Sequence, residues 1–325
     1  MESKTLNFVD QMNKMGKEGI PFLFVIDYEM NNPIICPLHE AAKNNIFYGV
    51  NGLRNFTKTI SEGKPLHFRK KPVDYDTYRI AFEKVQKEIR LGNTFLVNLT
   101  FPTEIETNWS MRRIFEKSKA PYKLLVQNDF VLFSPESFVK IANGIISSYP
   151  MKGTIDASVP GARELILSDE KEKAEHATIV DLIRNDISMV ARDVTVKKFR
   201  YLEEILTHDK TLLQVSSEIS GLLPADYMDH LGTIIIRLLP AGSICGAPKD
   251  STLRIIREVE NYSRGYYTGV FGIFDGITLD SAVMIRFIEQ NSGQLRYKSG
   301  GGITIQSNPE KEYRELIDKV YVTTH

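Results

Sequence analysis

Strand-like and helix-like stretches come in blocks along this chain instead of alternating one for one, and that order limits the fold more than any single residue does. Strict alternation would give a doubly wound parallel sheet, whereas clustered strands with helices beside them give an α+β architecture. Residues 20–27, IPFLFVID, read as a strand entered through a Gly-Ile-Pro turn. Tyr75 to Leu91 sets Tyr78, Ile80, Ala81, Val85 and Ile89 at helical steps, stops at Gly92, and leads into a buried strand from Thr94 to Thr100. Lys123 to Ser134 and Ser137 to Ser148 read as a strand pair, with Asn143-Gly144 as a hairpin turn inside the second run. A loop punctuated by Pro and Gly is expected over residues 149–167. Ser168 then caps a long helix whose first turn carries Asp169 and Glu170, where the helix dipole favours acids. Its apolar stripe is Ala174, Ala177, Val180, Ile183, Ile187 and Val190.

Toward the C-terminus, Asp226 to Leu239 and Thr252 to Glu260 read as helices. Tyr267 to Phe274 and Ala282 to Glu289 read as strands joined near Asp275-Gly276, followed by a strand from Leu295 to Ser299. A closing helix from Glu310 to Tyr321 follows Asn308-Pro309. No Gly/Pro/Ser-rich linker separates two halves, so residues 1–325 are expected in a single domain. Lys plus Arg equals Asp plus Glu at 41 each, which leaves no long-range field for nucleic acid or anionic membrane. The two cysteines, Cys36 and Cys245, suit a reducing compartment and carry no metal-ligand spacing. The N-terminus is too polar for a signal peptide, and no apolar run approaches the roughly 20 residues that span a bilayer. The expectation is a cytoplasmic protein acting on a small molecule, with no nucleic acid and no membrane among its partners.

Five groups could carry chemistry. Pro240 to Lys249, PAGSICGAPK, places two glycines at the mouth of a helix, where backbone N–H groups and the dipole could cradle a carboxylate or phosphate. A tight turn capping a helix accounts for it as well. Gly300-Gly301-Gly302 after a strand suits either close approach of main chain to a ligand or a sharp bend. Glu172 and Glu175, and again Glu312 and Glu315, lie three apart on helix faces. All-oxygen donors suit a hard ion such as Mg²⁺, although acids in first helical turns are also ordinary solvated dipole partners. Lys152 in a Pro/Gly loop could be a nucleophile if a dry pocket lowers its pKa, with Glu136 across a hairpin as acid or base. Arg286, a charge inside the apolar strand VMIRF, is either a paired core arginine or a carboxylate clamp, and His176 reads as structural.

The order of these groups resembles a known family. SPESF, PMKGT, DEKEKAEHATIVDLIRNDI, SSEISGLL, PAGSICGAPK, YTGVFGIF, VMIRF, GGGI and NPEKEYRELIDK follow one another as in the chorismate-binding enzymes. That family includes anthranilate synthase component I, aminodeoxychorismate synthase component I, isochorismate synthase and salicylate synthase. The resemblance runs from about Gly92 to the C-terminus, with residues 1–75 a weakly matching, shortened part without a feedback site. It implies a fold of large, mostly antiparallel sheets flanked by helices. It also implies Mg²⁺ near Glu172, Glu175, Glu312 and Glu315, binding the ring carboxylate of chorismate. Gly242, Gly246 and Ala247 would form one backbone cradle and Gly301 and Gly302 a second. Arg286 would hold the enolpyruvyl carboxylate and Lys319 a further carboxylate contact.

Within that family the PMKGT lysine resembles the aminating branch, whereas anthranilate-forming members carry Ala at this place. The resemblance implies attack of Lys152 on C2 of chorismate as the C4 hydroxyl leaves, with Glu136 as acid/base. Ammonia then adds at C4 and expels the lysine, giving 4-amino-4-deoxychorismate on the way to 4-aminobenzoate and folate. No glutaminase-type cysteine motif is visible, so a separate glutamine amidotransferase subunit is the implied ammonia source. The alternatives are anthranilate formation and a non-catalytic chorismate-binding subunit. This chain departs from its relatives at Gln214 for His, Cys245 for Thr, Ile273 for Tyr, and Leu96 for Gln. Leu96 also stands where isochorismate-forming members carry a base lysine, and leucine cannot activate water.

Overall fold

The computed structural model describes residues 3–58, 64–206, 211–291 and 293–324. Side-chain alternation along strand Phe22–Ile26 shows how its layers form. Phe22, Phe24 and Ile26 pack with Phe8, Met12, Ile183, Ile187, Ile234 and Ile235 of helices Ser3–Lys17, Glu170–Ser188 and Leu231–Arg237. Leu23 and Val25 point the other way and join Tyr48, Leu124 and Leu132 of a second sheet. On that sheet's far side, Val97 and Leu99 meet helices Tyr75–Arg90, Lys249–Val259 and Pro309–Asp318. The layers run helices, sheet, sheet, helices, with apolar surface buried at each junction.

Each sheet has nine strands, and every pairing among the described residues is antiparallel. The first sheet runs in the order 151–156, 211–222, 145–148, 137–142, 279–283, 270–274, 22–26 and 34–37, with 192–206 also paired to 211–222. The second runs 246–247, 96–107, 294–303, 287–291, 130–134, 122–126, 46–50 and 53–54, with 68–71 also paired to 96–107. The α+β class and the flanked antiparallel sheets agree with the expectation.

The chain passes from the second sheet to the first at Pro135-Glu136 and back at Met284–Arg286. These crossings lie side by side, since Val283 N donates to Glu136 O and Phe133 N to Arg286 O, each at 3.2 Å. Arg286 is left-handed there, at φ +53°, a backbone cost of about 1 kcal/mol or more that surrounding contacts must offset. Two polar side chains are thereby delivered to one seam.

Several local expectations need correction. Lys123–Ser134 does not pair with Ser137–Ser148. Each run is its own hairpin, and they lie in different sheets because the chain crosses between them. Residues 149–167 contain strand Met151–Asp156 and helix Ala162–Ser168, since strand Thr211–Leu222 draws the first part into the sheet. Asp169, not Ser168, caps helix Glu170–Ser188 by accepting from Glu172 N. Ala174 and Ala177 are exposed on that helix, and its buried face begins with Glu175, His176, Ile179 and Val180. Ile80 is likewise exposed. Residues 282–289 are the ends of two strands, and Arg286 lies between them instead of inside one. The strand expected from Tyr267 begins at Val270, and the closing helix ends at Asp318. Gly300 to Gly302 lie within strand Gln294–Ile303, and strand Leu96–Thr107 runs past Thr100. Arg192–Leu206 and Thr211–Leu222 form a long hairpin whose charged outer face hid it from the hydrophobic pattern.

Candidate active site

A cavity of about 530 Å³ opens at the seam between the sheets. Its wall includes Glu136, Lys152, Glu172, Gly246, Arg286, Gly301, Gly302, Glu315 and Lys319, brought from seven separate stretches of the chain. Glu175 and Glu312 stand just behind: Glu175 reaches Lys152, and a Cβ built on Gly301 would lie 3.8 Å from Glu312 Oε2 and 3.9 Å from Glu315 Oε1. Gly242 and Ala247 are off the wall. Gly242 packs beside Asp186, and the Ala247 carbonyl accepts from Phe95 N and Thr94 Oγ1. Gln214 and Leu96 do line the cavity, whereas Ile273 and Cys245 are buried core.

Lys152 comes from strand Met151–Asp156, not a loop. Its Nζ lies 2.9 Å from Glu175 Oε2. Burial by itself would lower the lysine pKa, but Glu175, then Glu172 and Glu315, outweigh it and hold the ammonium above its ordinary range. The expectation of a pKa lowered by dryness is therefore reversed by acids that the sequence placed elsewhere. Lys319 is anchored the same way, with Nζ 2.7 Å from Glu315 Oε1 and donating to Gly300 O at 2.9 Å.

Glu136 accepts a hydrogen bond from Ser243 Oγ at 2.7 Å. Burial raises its pKa despite Ser243 and the cations Lys152, Arg286 and Lys319. A carboxyl poised this way can hold a proton for a leaving group. A raised folded pKa contributes stability below the unfolded value and loses it as pH rises through the folded one. Glu136→Gln should therefore unfold at a higher temperature than wild type at about pH 8, with the gain vanishing toward about pH 4. A calorimetric scan at both pH values checks this, and an equal shift at both would contradict it.

The glycines matter for main-chain approach. Gly246 has φ +133°, and a Cβ there would sit 1.9 Å from Leu96 O, so only glycine lets this loop meet strand Leu96–Thr107. A Cβ on Gly301 would point instead among Glu312, Glu315 and Lys319, so its lack of side chain leaves open the space those charges face.

Sequence reasoning missed the group that holds the 240–248 loop in place. Arg264 is 1% exposed and stacks over the Tyr28 ring at 4.6 Å. It pairs with Glu260 at 2.7 Å and donates to Ile244 O at 3.0 Å and Asn98 O at 2.6 Å. Glu260 in turn accepts from Thr100 N at 2.9 Å. This network clips the 240–248 loop to the strand beneath it. Glu260 and Arg264 at i and i+4, bracketing the end of a helix, were the available signal. His176 is off the cavity wall, bonded to Ser217 Oγ at 2.6 Å, and burial lowers its pKa to about 4, so it is neutral.

Glu172 and Glu315 on the wall, with Glu175 and Glu312 behind it, offer the all-oxygen donor types of a hard divalent ion. Among the described residues no three His, Cys, Asp or Glu are already gathered in metal-holding geometry. Mg²⁺ commonly takes only one or two protein carboxylates plus water and substrate oxygens, so the donors fit an ion completed by an anionic ligand. Among the described residues, no helix is long and apolar enough to cross a membrane.

Residues 23–325 match the family described as chorismate binding enzyme, a match that begins well before Gly92. The chain is 50% identical over 321 residues to the Uncharacterized PabA-like protein of Haemophilus influenzae, covering 99% of this chain and 98% of that one. It is 33% identical to aminodeoxychorismate synthase component 1 of Bacillus subtilis, over 77% of this chain and 55% of that protein. The solved structure of anthranilate synthase component I from Streptococcus pneumoniae superposes with a TM-score of 0.67 at 29% identity, over 81% of this chain and 60% of that one.

Proposed function

The chain belongs to the chorismate binding enzyme family, and from that premise we propose that it aminates chorismate at C4 to give 4-amino-4-deoxychorismate. The observation that carries the reading is one cavity with the Lys152 amine and the Glu136 carboxyl both on its wall. Lysine is the residue type the aminating branch resembles at this place. The likeness to both an aminodeoxychorismate synthase component 1 and an anthranilate synthase component I leaves anthranilate formation as the second reading.

Arg286, Lys319 and the backbone at Gly246, Gly301 and Gly302 would hold a doubly anionic ring. Lys152 must lose a proton before it attacks, and the Glu175 carboxylate at 2.9 Å is the acceptor in contact with it. The amine adds at C2 as the C4 hydroxyl leaves with a proton from Glu136, departing as water. Ammonia then bonds to C4 as an ammonium, the C2–N bond to Lys152 breaks, and the released amine recovers its proton from Glu175. The ammonia would come from a separate glutamine amidotransferase subunit, and the reaction would run in the cytoplasm.

Mg²⁺ held among Glu172, Glu175, Glu312 and Glu315, directly or through water, would supply positive charge for the substrate's ring carboxylate. Chelation by excess EDTA should stop turnover and added Mg²⁺ restore it, with calorimetry showing tighter Mg²⁺ binding once chorismate is present. Full activity in EDTA would remove the metal from the reading. The test of function is to supply chorismate, Mg²⁺ and ammonium. The expected product becomes 4-aminobenzoate only when a lyase is added, and anthranilate formed without one would overturn the choice. In the same assay Glu136→Gln should slow turnover by about 10²–10⁴-fold.

A further inference from the structure

We propose, on the reading that Glu136 is the acid of the reaction, that Asp186 reprotonates it through one water in a cavity behind it. That cavity measures about 20 Å³ and is lined by Glu136, Val139, Ser148, Asp186, Gly242 and Ser243 among others. A water needs about 10–15 Å³ and two to four polar partners. Glu136, Asp186 and the Ser243 hydroxyl supply them. The Ser148 hydroxyl is already committed to Phe138 O at 2.8 Å.

Glu136 and Ser243 line both this cavity and the large one, so the carboxyl stands between them. On the far side, Asp186 pairs with Lys249 Nζ at 2.8 Å. These side chains keep 14% and 17% of their surface exposed, so the pair touches both the small cavity and solvent. A substrate filling the large cavity cuts Glu136 off from bulk water on that side. Each departing hydroxyl takes one proton from Glu136, and when the added nitrogen leaves as an ammonium it returns none, so Glu136 is restored from behind.

The cavity water gives a proton to the Glu136 carboxylate and takes one from the Asp186–Lys249 pair. The pair then takes one from solvent, so one proton enters for each hydroxyl that leaves as water, and it departs on the product as its ammonium. Burial raises the proton affinity of both carboxyls. Lys152, Arg286 and Lys319 act on Glu136 from the substrate side, while Lys249 acts on Asp186 and Cys245 lies within its field. Asp186 touches no substrate and acts only through Glu136.

Two variants of the full chain test this, with ammonium as nitrogen source. Asp186→Asn removes the proton carrier. Val139→Ile pushes a methyl group into the cavity and leaves the Asp186–Lys249 pair intact, so it also covers the case in which the first variant folds poorly. Rapid-quench measurement should give a first turnover within about twofold of wild type, because the proposed acid spends its proton only once in that turnover, and a steady-state rate about tenfold lower. Slowing of both phases alike, or of neither, overturns the relay. The ¹³C NMR titration of Glu136, which needs no turnover, should move by at least about 0.5 pH units in both variants. An unmoved titration also overturns it. A wild-type protein that forms no aminated product would defeat the proposed function while the NMR result still decided the coupling.

Discussion

Lys152→Ala is expected to lower the proposed C4 amination of chorismate by at least about 10³-fold, because on that reading an attacking group, not a binding contact, is lost. Lys152→Arg should be as inactive. A guanidinium keeps the positive charge opposite Glu175 but stays protonated and cannot add to C2. The pair of variants separates chemistry from folding, since the arginine retains the ion pair that the alanine abolishes. Removing the cation from between Glu172, Glu175 and Glu315 leaves those acids less neutralised, so Lys152→Ala should bind Mg²⁺ at least as tightly as wild type by calorimetry. Either variant retaining more than about a tenth of wild-type turnover would rule out lysine attack. A non-catalytic binding subunit would show wild type and both variants equally slow under saturating ammonium.

The largest loss of stability should come from Arg264→Ala, at about 3–5 kcal/mol. The substitution strands the buried Glu260 carboxylate and leaves Ile244 O and Asn98 O without their guanidinium donor. Removing one partner of a buried pair costs more than the pair contributes net, because the remaining charge cannot return to water. Chorismate binding should weaken as well, since the 240–248 loop loses its tie to strand Leu96–Thr107. Denaturant unfolding checks the first effect. A loss under about 1 kcal/mol would mean that the site relaxes and water reaches Glu260.

In the Glu136→Gln variant the group proposed as the acid works against stability. Its carboxyl is kept where its charge is disfavoured, and replacing it should strengthen the fold as it weakens the reaction.

Much of this was legible from the residues. The helix at Tyr75–Arg90 and the strand at Phe22–Ile26 followed from period, cap and turn chemistry, which act over a few neighbours. The motif order identified the family, and composition limited the class of partner. What failed depended on pairing at a distance. Residues 149–167 read as loop because a strand with Gly153 at φ +82° has little pattern of its own and is made regular by Thr211–Leu222. Ala174 and Ala177 fitted a helical stripe, yet helix Glu170–Ser188 is turned so that Glu175 and His176 are buried.

The sequence by itself determined the α+β class, the family and the residue types able to hold an anion, an amine and a hard cation. Only the tertiary structure decided that Glu136 and Arg286 sit at adjacent crossings between two sheets, and that Lys152 is held as a cation by Glu175. It alone put Asp186 and Glu136 on one small cavity. Propensity and capping are energies between near neighbours in the chain and can be read from it. A side chain's charge state depends on burial and on charges that folding brings from distant segments, and no local pattern encodes those.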